Sequence, residues 1–466
     1  MEENMFGIDK TIKHGLNIII IGCGKVGRTL VDQLCQEGHD ITVIDKVSKK
    51  VQDVANLYDV MGVCGNGASF STQIEAGIKD ADLVIAVTGS DELNLLCCTI
   101  AKQASDCSVI ARVRTPDYNE DIPYLREKLG LARIINPELE AAKEVARILY
   151  MPAALEVSSF AHDQAEIVKI KLPEDTILHE LKIMDMGKRI NHNILICAVE
   201  RDGEVYIPSG NFELRGGDIM SFVGTRKNCA RFMKEIGFDT HRVHDTLIVG
   251  GGKAAFYLAD QLLRAGIAVK IIENDVKRCE ELSTLLPEAI IINGDGTDEA
   301  LLQEEGLATA ESFVPLTGID EENIMLTLHA KQVSNAKAIT KINRISFKTV
   351  LSTLDLGSVI YPKYITSEKI IAYVRAKLAS KDSNIETLYH MFDSRVEAIE
   401  FLVKEDSEVT SKTLLELQLK KNLLVCFISR KGRIFIPTGQ DTIQVGDEVM
   451  VVTTHSGFND VTDILA

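Results

Sequence analysis

The chain has 466 residues, 45% of them hydrophobic and 26% charged, with a formal net charge of −17. That length exceeds one ordinary core, so two to four domains are expected, and no apolar run is long enough to cross a bilayer. The acidic balance argues against nucleic acid as the main partner, because phosphate backbones are bound by basic surfaces.

The first fifteen residues, MEENMFGIDKTIKHG, carry acids and lack an apolar signal core, which points to a cytoplasmic chain with an N-terminal extension. Strands are then expected near 17–22, 41–45, 60–64, 83–87 and 109–113, with helices near 25–37, 47–57, 70–77 and 92–104. Apolar strands alternating with helical patterns are the signature of a parallel sheet with helices on both faces. A sixth segment, ARIIN at 132–136, leads into a helix opened by Pro137, whose missing N–H is no loss at a first helical position. Met151-Pro152 closes that helix and the lobe. From 153 the pattern changes kind: AEIVKIKL, NILICAVER and DIMSFVG read as short alternating strands, with Asp202-Gly203 as a hairpin turn.

The chain then repeats itself. NIIIIGCGKVGRTLVDQL from Asn17 has its counterpart in DTLIVGGGKAAFYLADQL from Asp245, and Asp45 pairs with Glu273, 228 residues on. GNGAS at 65–69 matches GDGTD at 294–298, and VTGSDELN at 87–94 matches LTGIDEEN at 316–323. The small lobe repeats too, VYIPSGNFELRGGDIMSFVG at 205–224 matching IFIPTGQDTIQVGDEVMVVT at 434–453. The expected fold class is therefore α/β: two tandem Rossmann-like, doubly wound parallel-sheet lobes, each followed by a small α+β lobe. The expected spans are 1–15 for the extension, 16–152 and 153–237 for the first copy, and 244–380 and 385–466 for the second.

The chemistry-bearing stretch of the first copy is Gly22-Cys23-Gly24-Lys25-Val26-Gly27, a glycine turn between strand and helix. Gly22 permits the tight turn, Gly24 lets the backbone approach a pyrophosphate, and Gly27 lets helix and strand pack closely. Amides at the helix start attract the phosphates. Asp45, ending the next strand, is positioned for an adenosine ribose and should repel a 2′-phosphate, which favours NAD(H) over NADP(H). The second copy, Gly250-Gly251-Gly252-Lys253-Ala254-Ala255 with Glu273, fits the looser form that ends in alanine, where Ala255 can also serve packing alone. Lys25 and Lys253 could reach phosphates or be solvated. Asn66 and Asp295 lie after the third strands, either near an adenosine or as turn formers, and Thr88 and Thr317 either line the crevice or cap the next helix. Arg112 and Arg114 could clamp phosphates or form surface ion pairs; the second copy offers Lys341, Asn343 and Arg344 instead.

Ten cysteines, at 23, 35, 64, 97, 98, 107, 197, 229, 279 and 426, form no CxxC pair, so reduced and mostly buried thiols are expected, with no metal site. A basic stretch from Lys331 to Lys381, with ten Lys or Arg against Asp355 and Glu368, is either a solvated face or a docking patch.

The motifs IIIIGCGKVG, TVIDK, CGNGAS, AVTGSDELN and ARVRTPDY, followed by VGGGKAAFYLA, IIENDVKRCEELS and NGDGTDEALLQEEG, resemble the TrkA family, the peripheral subunits of Trk potassium-uptake systems with tandem RCK domains. The resemblance covers nearly the whole chain. It implies a cytoplasmic, homotetrameric assembly on the inner face of the membrane. Its partner would be a membrane-embedded potassium-transport subunit of the TrkH/TrkG kind, with no nucleic acid involved. NAD(H) is the implied ligand, with ATP or ADP as further candidates. By the same resemblance Gly22 to Gly27, Asp45, Thr88, Gly89 and Arg112 would be first-site contacts, and Gly250 to Ala255 with Glu273 the second. The competing reading is an NAD-dependent oxidoreductase, which needs a proton donor or base at the nicotinamide. His162, His179, His192, His241, His244 and His390 do not recur at the repeat interval, and each reads better as a linker or surface residue. A sensor without catalytic residues is the simpler account, and a scaffold with empty sites is the third.

Overall fold

The computed structural model describes residues 15–466 except 119–120, 162–163, 189, 191–192, 239–241, 344–350, 352, 379–384 and 393. His162, His192, His241, Arg344, Lys381 and the N-terminal extension up to His14 therefore lie outside the described residues. The chain divides into two compact units, one ending at Ile135 and the other running from Asn136 to Ala466.

The first unit is a single parallel sheet of β1 (Asn17–Ile21), β2 (Asp40–Asp45), β3 (Met61–Cys64), β4 (Leu83–Ala86), β5 (Ser108–Arg112) and β6 (Arg133–Ile135). Its helices are α1 (Lys25–Gln36), α2 (Ser48–Tyr58), α3 (Phe70–Glu75), α4 (Asp91–Ala104) and α5 (Ile122–Lys128). The strand order 3-2-1-4-5-6 reverses direction between β1 and β4, so a crevice opens at the carboxyl ends of those two strands. The central strands read as unbroken apolar runs because both faces are covered: Leu83, Val84, Ile85 and Ala86 are all fully buried.

In the second unit α6 (Pro137–Tyr150) comes first. The sequence suggested that this helix closes the first lobe; its contacts instead group it with the residues after it. Ala141, Ala142, Val145 and Leu149 share a core with Ile248, Leu258, Ala259 and Leu262 of the second Rossmann-like lobe, the alanines allowing close helix approach. Periodicity shows that α6 has an apolar face but not which sheet receives it.

The first small lobe contains β7 (Glu156–Phe160), β8 (Ala165–Lys171), β9 (Leu181–Lys182), β10 (Ile194–Arg201), β11 (Glu204–Tyr206), β12 (Glu213–Leu214), β13 (Ile219–Gly224) and α7 (Arg226–Glu235). Asp202 and Gly203 both have positive φ and join paired Arg201 and Glu204, a two-residue turn of the kind that suits a hairpin. The second Rossmann-like lobe repeats the order of the first, with β14 (Asp245–Val249), β15 (Ala268–Glu273), β16 (Ile290–Asn293), β17 (Ser312–Pro315), β18 (Lys337–Lys341) and β19 (Ser358–Ile360). Its helices are α8 (Lys253–Arg264), α9 (Val276–Leu285), α10 (Glu299–Glu304), α11 (Asp320–Val333) and α12 (Pro362–Leu378). The last lobe is the antiparallel sheet of β20 (Ile385–Met391), β21 (Val396–Leu402), β22 (Leu423–Arg430), β23 (Arg433–Phe435) and β24 (Glu448–Thr453).

The two small sheets share one core. Phe160, Ile167, Cys197 and Val223 from the first pack with Val396, Ala398, Cys426 and Met450 from the second. Each lobe also carries the same charged clip: Arg201 grips Asp218 through two contacts of 2.7 and 2.6 Å, and Arg430 grips Asp447 at 2.8 and 2.7 Å.

Candidate functional site

Each glycine turn is built around a carboxylate. Asp45 accepts the Cys23 N–H at 2.8 Å and the Val47 N–H at 3.0 Å. Glu273 does the same for Gly251 at 2.6 Å and Asp275 at 2.9 Å. The acid at the end of the second strand thus holds the turn in shape, a role that spacing alone did not show. Gly22 has φ +113° and Gly250 φ +96°, the conformation that favours glycine. A Cβ on Gly27 would lie 1.9 Å from the Gly22 carbonyl oxygen, so α1 packs directly on the turn. Ala255 occupies the equivalent place and is fully buried.

At Gly24 and Gly252 the situation reverses: a Cβ at either would meet nothing within 4 Å. Both residues start their helices in extended conformation, no side chain caps α1 or α8, and neither has an acid in its first turn. Four N–H groups at a helix start need partners. Side chains supply one or two for α4 through Ser90 and for α9 through Asp275, whereas α2, α3, α5 and α11 start uncapped as α1 and α8 do. What sets α1 and α8 apart is the open space at Gly24 and Gly252. Open space, uncapped amides and a favourable dipole together fit a diphosphate group. Lys25 is exposed and Lys253 half-buried beside these amides. Val26 is on the buried face of α1, while Ala254 is half-buried. Cys23 is buried, and burial, with Asp45 adding to it, pushes its thiol up to about 11. It is a packing residue and not a nucleophile.

The opposite wall is a polar relay. Thr88 donates its backbone N–H and its hydroxyl to Asn94 Oδ1, both at 2.7 Å, and Asn94 Nδ2 donates to the Arg112 carbonyl at 2.8 Å. Asn323 repeats this between Thr317 N–H, at 3.0 Å, and the Lys341 carbonyl, at 3.0 Å. Both asparagines are fully buried and tie the ends of the fourth and fifth strands together. Asp91, also buried, accepts from Arg114 and Thr115 main chain and from the Thr115 hydroxyl. Burial works to raise its carboxyl, but those hydrogen bonds prevail and hold it below the usual range. Asp320 accepts the Asn343 N–H at 2.9 Å in the same way. The repeated VTGSDELN and LTGIDEEN motifs contained all four residues; attention to the threonines passed over them.

The arginines are turned inward. Arg112 donates to the Thr88 carbonyl, and Arg114 to the Gly89 carbonyl and to Asp91. Lys341 Nζ donates to the Leu316 carbonyl at 2.8 Å. Asn66 and Asp295 each accept a backbone N–H two residues on, at 3.1 and 2.9 Å, and so shape the turns after β3 and β16.

Family profiles match both copies. The TrkA-N domain profile matches residues 18–137 and again 246–362, and the TrkA-C domain profile matches 167–237 and 398–466. The chain belongs to the TrkA family. The Trk system potassium uptake protein TrkA of Haemophilus influenzae is 29% identical over 440 residues, 94% of this chain and 95% of that one. A TrkA homolog of Archaeoglobus fulgidus is 30% identical over 450 residues, 96% of this chain and 100% of its own length. Among solved structures, the GsuK channel bound to NAD is similar in fold, with a TM-score of 0.63 at 18% identity over 96% of this chain and 77% of that one.

Two expectations for this TrkA-family chain need correction. His390 is not a surface residue: its side chain is 14% exposed and lies 3.4 Å from Glu368 and 3.5 Å from Glu397. His179 and His244 are exposed, the latter paired with Glu311 at 2.9 Å. Nor is the basic stretch a free face among the described residues, which leave out Arg344, Lys348 and Lys381. Lys331 pairs with Asp355, Lys369 with Glu140, and Arg375 with Glu397, while Lys337 donates to the Ala154 carbonyl. Eight of the ten cysteines are buried; Cys35 is half-buried and Cys64 exposed.

Proposed function

We propose that this chain is a nucleotide-sensing regulatory subunit of a potassium-uptake system and carries out no catalysis of its own. The reading rests above all on the duplicated turns at Gly24 and Gly252, where open space faces uncapped helix amides. NAD(H) would lay its pyrophosphate on Gly22–Gly27, its adenosine ribose toward Asp45, and its second half along the crevice toward Thr88 and Gly89. Arg112 would hold that wall from behind. Gly250–Ala255, Glu273 and Thr317 would form the second site, and ATP or ADP share enough chemistry to compete at either. The names of the relatives, Trk system potassium uptake proteins, support transport over metabolism. In a tetrameric ring docked on a membrane-embedded subunit, a nucleotide with different affinity for two lobe arrangements would shift the ring between them.

The test is calorimetric titration of NADH, NAD⁺, ATP and ADP into the protein, its Gly24→Ala variant and its Gly252→Ala variant. Either methyl enters space that only a ligand would need, so the unliganded variants should melt as the parent does. Each should lose about tenfold or more in affinity at its own site. Unchanged affinity in both variants would sink the sites, and steady NADH consumption with a small substrate would make the protein an oxidoreductase.

A further inference from the structure

Within the second unit, a cavity of about 300 Å³ lies where α6, β7, β8, β19, α12 and β20 meet. Three carboxylates line it, Glu144 from α6, Glu156 from β7 and Glu368 from α12. Two of them are matched. Glu156 receives the Tyr389 hydroxyl and lies 3.2 Å from Lys169 Nζ, which also sits 4.5 Å over the Phe392 ring. Glu368 faces His390, whose other nitrogen faces Glu397, itself forked by Arg375 at 3.0 and 3.1 Å.

Glu144 is the surplus charge. Glu140 on its own helix is taken by Lys369 at 2.6 Å and Lys143 at 3.3 Å. Arg147 attracts Glu144, while Glu140, Glu156 and Glu368 all oppose its ionisation. Tyr361 and Tyr364, at the start of α12, complete the wall without adding charge.

We propose that the proton on Glu144 is a latch: while it is held, α6 packs against α12 and β7, and its loss sets an unmatched carboxylate against Glu156 and Glu368 and loosens that joint. Because α6 also packs on the second Rossmann-like lobe, the latch would make the seating of that lobe against the small sheets respond to pH.

The sign comes from linkage. Burial, with Glu156 and Glu368 adding to it, pushes Glu144 up to about 8, so its proton is retained closed and released on opening. His390 behaves likewise: burial opposes its charge, but Glu368 and Glu397 prevail and push it up to about 9 from 6.5. Each such group makes opening about tenfold easier per pH unit between its ordinary and raised values. The closed joint therefore weakens as pH rises from the ordinary histidine value toward 8. Across that window Glu140 and Glu397, where burial is outweighed and Lys369 and Arg375 hold the carboxyls below the usual range, keep their ion pairs.

Hydrogen exchange on the full chain at pH 6, 7 and 8, corrected for intrinsic rates, would read the opening of α6, α12 and β7. Between pH 6.5 and 8 protection should fall more steeply in the parent than in Glu144→Gln, the two slopes differing by about tenfold per pH unit. Equal slopes in the two proteins would overturn the latch. If the variant does not fold, difference infrared spectroscopy of the parent and of Glu368→Gln supplies the test: a protonated carboxyl band present at pH 7 in both and gone by pH 9 supports it, and its absence from either at pH 7 refutes it.

Discussion

Gly27→Ala is the sharpest perturbation of the first site. The added Cβ would stand 1.9 Å from the Gly22 carbonyl oxygen, about 1.5 Å short of the 3.4 Å at which ordinary contact begins. That oxygen belongs to a backbone held at φ +113° with its N–H bonded to the Ile44 carbonyl at 2.7 Å, so α1 must give way. Overpacking of this kind costs about 1–3 kcal/mol, offset by the roughly 0.8–1 kcal/mol that alanine gains over glycine inside a helix. A net loss of about 0.5–2 kcal/mol should lower the melting temperature of the first unit by roughly 2–8 °C. Moving α1 also moves the amides that would cradle phosphate, so calorimetry should record weaker NADH binding in the same variant. The reverse change, Ala255→Gly, removes a methyl that already fits and should cost only about 1 kcal/mol. If Gly27→Ala melts with the parent and binds NADH equally well, the packing argument fails.

Asn94→Ala strands the Thr88 N–H and the Arg112 carbonyl in a buried place, and should cost about 2–4 kcal/mol in urea unfolding; Asn323→Ala should cost a similar amount, and a loss below about 1 kcal/mol in either would show the relay to be dispensable. Asp218→Ala and Asp447→Ala each remove a buried acceptor from a partly exposed arginine and from one backbone N–H, with an expected loss of about 1–3 kcal/mol apiece, read by thermal melting. A disulfide reagent at pH 8 should modify Cys64 rapidly and leave Cys23 intact until denaturant is added, as mass spectrometry of the labelled peptides would report; fast labelling of Cys23 would contradict its burial.

Much of the Rossmann-like architecture was legible because it is written in local patterns. Isoleucine runs, glycine turns and a repeat at a fixed interval place β1, β2 and the helix starts within a residue or two. Gly24 and Gly27 were distinguishable in principle, and the structure shows why their roles differ: one faces open space and the other a carbonyl oxygen. What was not legible depends on partners distant in sequence. The apolar face of α6 is plain at 137–150, yet its partners Leu258 and Leu262 lie more than a hundred residues on. His390 looked like a surface residue because Glu368 and Glu397 reach it from two other elements. Asp45 was expected to face a ribose; its hold on the Cys23 amide belongs to backbone geometry, which spacing does not encode.

The common core of the two small sheets carries a further consequence. Proteins that pair identical lobes between separate chains lose the pair on dilution, whereas here both halves belong to one polypeptide and stay at high effective concentration under all conditions. The halves are also released from symmetry, since a substitution in one is not copied into the other. That freedom has been used: of the matching carboxylates Glu166 and Glu397, the first is held by Arg226 from the helix after its own sheet and the second by Arg375 from the helix before it. A pseudo-twofold joint that began with equal sides can in this way acquire a stiff side and a yielding one.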